Sequence, residues 1–535
     1  MAETITHLME QWDTIHKNGP WQLKHRYITH NGSSLDLAST IIQYNDTGEE
    51  MRRLIQEASD NGEGFRAYGS RWSMSNVAYN KDRMHYNRYM TLNIPISDQD
   101  VHSASPYARE NLFFFQCGAT IKRISQVLEA HKKSLKTCGA SNGQTIAGCI
   151  STGVHGSALD VGSVQDYVVG LNLIIGPGPE DNIYLERHTK PGLSDEFASK
   201  IKARVIRNDG LFNAALVSMG SFGFIHGVAI EAEDRYLLKR YVRKIDKNIA
   251  LELSETMDFK NSPFSIEEER DANGKGLRPY HYKVFFNPYS DESKYVVEFM
   301  YKKPYSTPYP DPFTVIENSI YTDLINVLIK ISQKWPKTIP YFIKRLEKNI
   351  LPLAKEEASV GTLYETFWDA QYKGPAFACS VGIDHKDSVK ALQAISKMTR
   401  EEGPIPGIFA MRFIKQSKAT LSFARFPITC MLEIDGIQWK KTKKLMSLTE
   451  YGRRMIQVLQ QNNIPFTLHW GKNSDWALSG LIQHMYGDDA ETWRSHRSAL
   501  LTPEMAQVFS NDFLTTTGLH ETNTSPDPDL VASLV

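Results

Sequence analysis

Residues 136–156 read KTCGASNGQTIAGCISTGVHG, and the reading of this stretch decides that of the chain around it. Five glycines, Gly139, Gly143, Gly148, Gly153 and Gly156, are spread through a segment with almost no formal charge. Glycine at this density lets backbone N–H groups come close to a ligand. The hydroxyls of Ser141, Thr145, Ser151 and Thr152 can donate to phosphate or carbonyl oxygens without adding bulk. The composition argues against an ordinary helix and for a loop bed under a large, flat, anionic cofactor. A glycine-rich surface loop would share that composition, so a second feature has to decide.

That feature is residues 66–76, RAYGSRWSMSN, another Gly/Ser turn, placed after a helix and a short strand. Together the two turns resemble the flavin-binding domain of the vanillyl-alcohol oxidase (PCMH-type) superfamily. Thr145-Ile146-Ala147-Gly148 and Thr152-Gly153-Val154-His155-Gly156-Ser157 match its TIAGxxxTGxHG form. The resemblance implies FAD. The first turn, with Gly69, Ser70, Arg71, Trp72, Ser73, Ser75 and Asn76, would wrap the pyrophosphate. The second, with Gly139, Ser141, Thr145, Gly148, Ser151, Thr152, Gly153, His155 and Gly156, would run along the pyrophosphate and the ring system, His155 shaping the loop. Further on, GSFGFIHGVAIE carries Gly220, Gly223 and Ile225 and resembles the last piece of that domain, where backbone between Gly223 and Ile225 meets the cofactor. Many relatives place a histidine before the serine of the first turn and bond it to the flavin. Here Trp72 stands there, and tryptophan has no such nucleophilic nitrogen, so the FAD is expected to be non-covalent.

Lys+Arg and Asp+Glu balance at 61 each, which leaves no net field to attract nucleic acid or an anionic membrane. The five cysteines, Cys117, Cys138, Cys149, Cys379 and Cys430, lack CxxC spacing and read as reduced, buried thiols, with no metal site. The polar N-terminus and the lack of a long apolar run make a cytoplasmic protein the expectation.

Taken in order, residues 37–44 read as a strand, Thr47 and Glu50 as a capping box, and Met51, Leu54, Ile55 and Ala58 as the buried face of the helix that follows. Strands are expected at 65–68, 112–115, 167–175 and 183–185, with a helix through Ile124, Val127 and Leu128. After Tyr236 the glycine turns largely stop. Leu324, Val327, Leu328 and Ile331 form a helical stripe read as core. Strand 376–383, helix 388–400, strands 408–414 and 429–434, helix 443–460 and strand 466–469 give the β-α-β-β-α-β order of a ferredoxin-like layer. The expected fold class is α+β: a two-part PCMH-type FAD-binding domain over 1–235, a cap with a large antiparallel sheet flanked by helices over 236–465, a segment 466–520 returning to the flavin, and a disordered tail over 521–535.

The last strand ends in His469-Trp470-Gly471-Lys472. This motif resembles the aldonolactone oxidoreductase and alditol oxidase branch, in which the histidine approaches the flavin and the lysine faces the substrate. The resemblance therefore implies catalytic roles for Lys472, His469 and Arg412, and oxidation of a CH–OH group of a small-molecule alcohol, with oxygen or another compound as electron acceptor. The branch has Glu-x-Arg where this chain has Ala410-Met411-Arg412, followed by Leu421-Ser422. The missing glutamate leaves two alternatives open. One is a flavin-binding protein with lost or altered catalysis. The other is an oxidase of a bulky apolar alcohol such as a sterol, with Phe409, Met411, Phe413 and Phe426 near the site.

Overall fold

The helix Leu37–Asp60 sets the frame on which the first glycine turn is hung. Asp36 accepts from the Ser39 backbone N–H at 2.8 Å and its own N–H donates to the Ser39 hydroxyl at 3.0 Å, a reciprocal cap. The expected strand at 37–44 and cap at Thr47 and Glu50 are thus corrected. Gln43, Tyr44, Thr47, Gly48, Met51, Leu54, Ile55 and Ala58 make one continuous buried stripe, and its helical period overrides the turn-like Asp46-Thr47-Gly48. Gly48 is accommodated because a Cβ there would stand 3.3 Å from the His226 ring. The computed structural model describes residues 2–32, 36–310, 334–350, 354–367, 374–439, 441 and 445–521. The apolar stripe from Leu324 to Ile331 and the tail after Glu521 lie outside these residues.

The helix connects two sheets. The first has the order Glu3–Trp12, Trp21–His30, Arg83–Tyr86, Phe65–Tyr68, the opening pair being an antiparallel hairpin and the other pairings parallel. The second runs Arg204–Arg207, Asn182–Glu186, Val168–Ile174, Phe224–Glu231, Leu112–Gln116, Asn93–Ile94. Met51, Leu54 and Ile55 share a core with Tyr27 and Phe65 of the first sheet and Phe115 of the second. On the second sheet the Tyr44 hydroxyl donates to Asn172 at 2.6 Å, and Thr47 meets His226 at 2.9 Å.

The glycine bed is not all loop. Ile146–Thr152 forms a short helix closed by Gly153 at φ 73°, a left-handed conformation that suits glycine. Ser151 and Thr152 donate their hydroxyls to Ala147 and Gly148 carbonyls at 2.7 and 3.0 Å. Those two protons are therefore spent on the helix itself. Composition alone concealed it, because the helix is held by Ile146, Cys149 and Ile150, which are buried in the core, not by an amphipathic stripe.

From Tyr236 onward the strands among the described residues build one eight-stranded sheet: Ser359–Gly361, Tyr236–Asp246, Lys294–Pro304, His281–Phe286, Gly407–Lys415, Ile428–Ile437, Ala376–Asp384, Phe466–Leu468. Every pairing in it is antiparallel. Its last four strands with the helices Ser388–Glu401 and Leu448–Gln461 make the ferredoxin-like order read from the sequence. The second helix starts later than expected, at a Ser447/Glu450 capping box. Phe409, Met411 and Phe413 alternate with Ala410 and Arg412 along Gly407–Lys415, so they point to the opposite face. They are fully buried in the core and do not approach the site. Among the described residues no helix is long and apolar enough to cross a membrane.

Candidate active site

A cavity of about 360 Å³ opens between the glycine turns and the large sheet, within the usual size of a small-molecule site. Residues 69–74 line one part, and Gly139, Ser141, Thr145, Gly148, Ser151, Thr152 and His155 another. Gly223 and Ile225 line a third. Arg412, His469 and Lys472 reach the same cavity from the sheet side. Four residues of the expected cofactor set do not line it. Ser75 donates to the Trp470 carbonyl at 2.6 Å, the Asn76 carbonyl accepts from Tyr79 N–H at 3.0 Å, and Gly153 caps the short helix. At Gly156 a Cβ would lie 2.3 Å from the Thr137 hydroxyl, so that glycine serves close packing of the loop.

The turns are pinned by their neighbours. Arg71 takes φ 61°, a left-handed conformation costly for a side-chain-bearing residue, and its carbonyl accepts from Ile15 N–H at 3.1 Å. That contact brings the N-terminal arm over the turn, with His16 and Trp72 rings 5.4 Å apart. Met74 N–H donates to the Gly471 carbonyl at 2.8 Å, and Asn473 N–H to Ala378 at 2.8 Å. The His469–Lys472 loop is thus clasped to the first turn on one side and to a strand of the large sheet on the other. Trp470, fully buried and stacked on Trp476 and Tyr486, anchors it.

These surroundings fit a polyanionic dinucleotide such as FAD. The Ser70 and Thr145 hydroxyl oxygens are buried without a hydrogen-bond partner among the described residues, and both residues line the cavity. At Gly69 a Cβ would fall 1.9 Å from the Thr145 hydroxyl, and at Gly148 it would meet only that hydroxyl, at 3.2 Å. Glycine at 69 lets the two turns touch; glycine at 148 keeps the helix surface open to a ligand. Cys149 beside it is buried and free, as are the other four cysteines, and burial raises its thiol pKa.

The sheet side is charged. Arg412 donates from Nε to Glu433 Oε2 at 2.5 Å and from Nη2 to Glu433 Oε1. Burial pushes the Glu433 carboxyl up, but the charges of Arg412, His155 and Lys472 and the hydrogen bonding from Arg412 together hold the group below the usual carboxylate range. His155 Nε2 lies 3.7 Å from Glu433, while its Nδ1 donates to the Gly156 carbonyl at 2.9 Å. Burial and the Arg412 charge lower His155 to about 3. His469 is likewise lowered, by burial first and His155 next. Its Nδ1 accepts from Gly471 N–H at 3.0 Å, which leaves Nε2 to carry the proton of the neutral ring. Lys472 Nζ stands 3.9 Å from Asp435 Oδ1. Half of the Asp435 side chain is open (49% exposed) although it lies deep in the protein, because the open space is the cavity. Burial raises the Asp435 carboxyl against the pull of Lys472.

Glu433 and Asp435 were missed in the sequence reading. Their signal was present: in Met431-Leu432-Glu433-Ile434-Asp435 two acids alternate with apolar residues, which puts both on one face of a strand.

The large antiparallel sheet closed over the two glycine turns is a fold found in solved structures. It is shared with a VAO-type flavoprotein from Myceliophthora thermophila at TM-score 0.55 and 10% identity, over 91% of this chain and 79% of that one. Cholesterol oxidase from Brevibacterium sterolicum superimposes at TM-score 0.67 and 14% identity, over 96% of this chain and 97% of that one. In sequence, the chain is 20% identical over 467 residues to L-gulono-1,4-lactone dehydrogenase of Mycobacterium tuberculosis, covering 87% of this chain and 92% of that protein. It is 25% identical over 199 residues to D-arabinono-1,4-lactone oxidase of Debaryomyces hansenii, a match covering 36% of this chain and only 32% of that relative's length. No protein-family model matches the chain.

Proposed function

We propose that the protein is an FAD-dependent oxidoreductase that oxidises a CH–OH group of a small molecule, a sugar lactone, a sugar alcohol or a related alcohol. The observation that carries this reading is the convergence of Arg412, Lys472 and His469 on the cavity that both glycine turns line. Sequence similarity to a lactone oxidase and a lactone dehydrogenase supports the same reaction class. FAD, when bound, supplies the two-electron acceptor. Backbone N–H groups of residues 69–73, with the Ser70 and Thr145 hydroxyls, would hold its pyrophosphate. Loss of hydride from an alcohol carbon also requires the hydroxyl proton to leave and the growing negative charge to be held. The Lys472 ammonium favours an alkoxide-like substrate oxygen. His469, neutral, offers an Nε2–H donor without adding charge. Arg412, fixed by Glu433, adds a second cationic group. Trp72 lines the cavity where a covalent link would need histidine, so the FAD is held non-covalently, and oxygen or another compound takes the electrons onward.

The test is direct. Purified protein should be yellow, acid precipitation should leave the flavin in the supernatant, and anaerobic mixing with aldonolactones, alditols, hydroxy acids and sterols should bleach the flavin with at least one of them. Protein that takes up no FAD would overturn the reading. Flavin that stays with the acid-precipitated chain would overturn its non-covalent part.

A further inference from the structure

We propose that Glu433 supplies, from the facing strand, the carboxylate that position 410 lacks, and that it acts as the positioning residue for Arg412. The inference rests on the reading of the cavity as an FAD-dependent oxidoreductase site.

In the antiparallel pair of Gly407–Lys415 with Ile428–Ile437, Ala410 stands directly opposite Glu433. Directly opposite residues share a face, with Cβ atoms about 5 Å apart. Arg412, two residues further along, lies on that face too. A short side chain at 410 leaves the space between the strands to the Glu433 carboxylate, which both donors of the guanidinium edge reach. Such a bidentate pair fixes the plane of the guanidinium as well as its place. Arg412 needs that anchor. Its neighbour across the other strand pairing is Lys283, and Lys472 lies at the same cavity. Asp435 and Glu298 also act on the guanidinium by charge, but its hydrogen bonds go to Glu433. The carboxylate is buried and turns both oxygens to Arg412, so the part assigned to it is to orient the guanidinium.

The experiment compares wild type, Glu433→Ala, Glu433→Gln and the transplant A410E/E433A, each loaded with FAD. Two readouts are taken: the flavin midpoint potential, which needs no substrate, and the rate of flavin reduction by any substrate found. Glu433→Ala should raise the potential, because a negative charge near the cofactor is gone. It should also slow reduction by a factor of about 10², with Glu433→Gln in between. Returning a carboxylate at 410 should bring the potential back and recover most of the rate, even if Glu433→Ala alone fails to fold. Two results would overturn the inference: Glu433→Ala behaving as wild type in both readouts, or a folded, FAD-loaded transplant no different from Glu433→Ala. Wild type that binds FAD but is reduced by nothing would instead sink the proposed activity, and the potential would still decide the role of Glu433.

Discussion

The two sides of the cavity are built on opposite principles. The glycine turns carry little charge, expose backbone, and leave the Ser70 and Thr145 hydroxyls without partners among the described residues. The sheet side carries charges and pairs them, Arg412 with Glu433 and Lys472 near Asp435. A bed for a polyanion gains from donors left open, since a partner within the protein would compete with the ligand. A reacting centre gains from charges already fixed, because orientation need not then be acquired during the reaction. The first side therefore reads as composition and the second as geometry.

The comparison can be broken most severely on the open side. Gly148→Phe should abolish FAD binding while the melting temperature of the apoprotein stays near that of wild type, since a Cβ there meets only the Thr145 hydroxyl. Normal flavin content in that variant would remove the second turn from the bed. On the charged side, Lys472→Met should slow flavin reduction by about 10²–10³ and leave FAD bound, the loss typical of one preorganised donor. Rapid mixing with flavin content measured on the same sample checks this; an unchanged rate would make Lys472 a bystander.

A third test concerns the buried histidines that underlie both sides. Burial lowers His85, His155, His226 and His281 to about 3 from the ordinary 6.5. Between those values the unfolded chain binds more protons than the folded one. Stability is therefore full above pH 6.5 and falls as pH drops through that window, by up to about 1.4 kcal/mol per pH unit for each histidine. Melting curves from pH 7.5 to 4.5 should show the fall, and His226→Gln should make it shallower; an unaltered slope would break the attribution. The smallest effect is expected at Gly156, outside the cavity lining. Gly156→Ala should lower stability by about 1–3 kcal/mol through overpacking against Thr137 and the Cys138 carbonyl, with FAD affinity little changed in the folded fraction. Denaturant titration with flavin fluorescence separates the two.

Much of the fold was legible because it rests on local period and on turn chemistry. The largely apolar runs at 376–383, 408–414 and 429–434 and the helix read at 388–400 gave a ferredoxin-like order that the sheet reproduces. The same locality misled at 37–47, where β-branched and aromatic residues suggested a strand. Only the stripe continued through Thr47 and Gly48, packed on Asn172 and His226, shows that the helix had already begun. The short helix at Ile146–Thr152 was hidden for a related reason: it is stabilised by burial on several sides, which leaves no polar face to mark it.

By itself the sequence determined that two glycine turns and an HWGK loop exist and what cofactor chemistry they suit, because backbone freedom and side-chain identity are local properties. The tertiary structure decided which groups meet. Ala410, read alone, is a gap in the set of residues that the resemblance implies. Whether a carboxylate fills that gap depends on which residue of another strand stands across from it, and a shift of one residue would turn Glu433 to the opposite face. That register is set by the whole eight-stranded sheet and by the core beneath it, so no window of sequence around position 410 contains it.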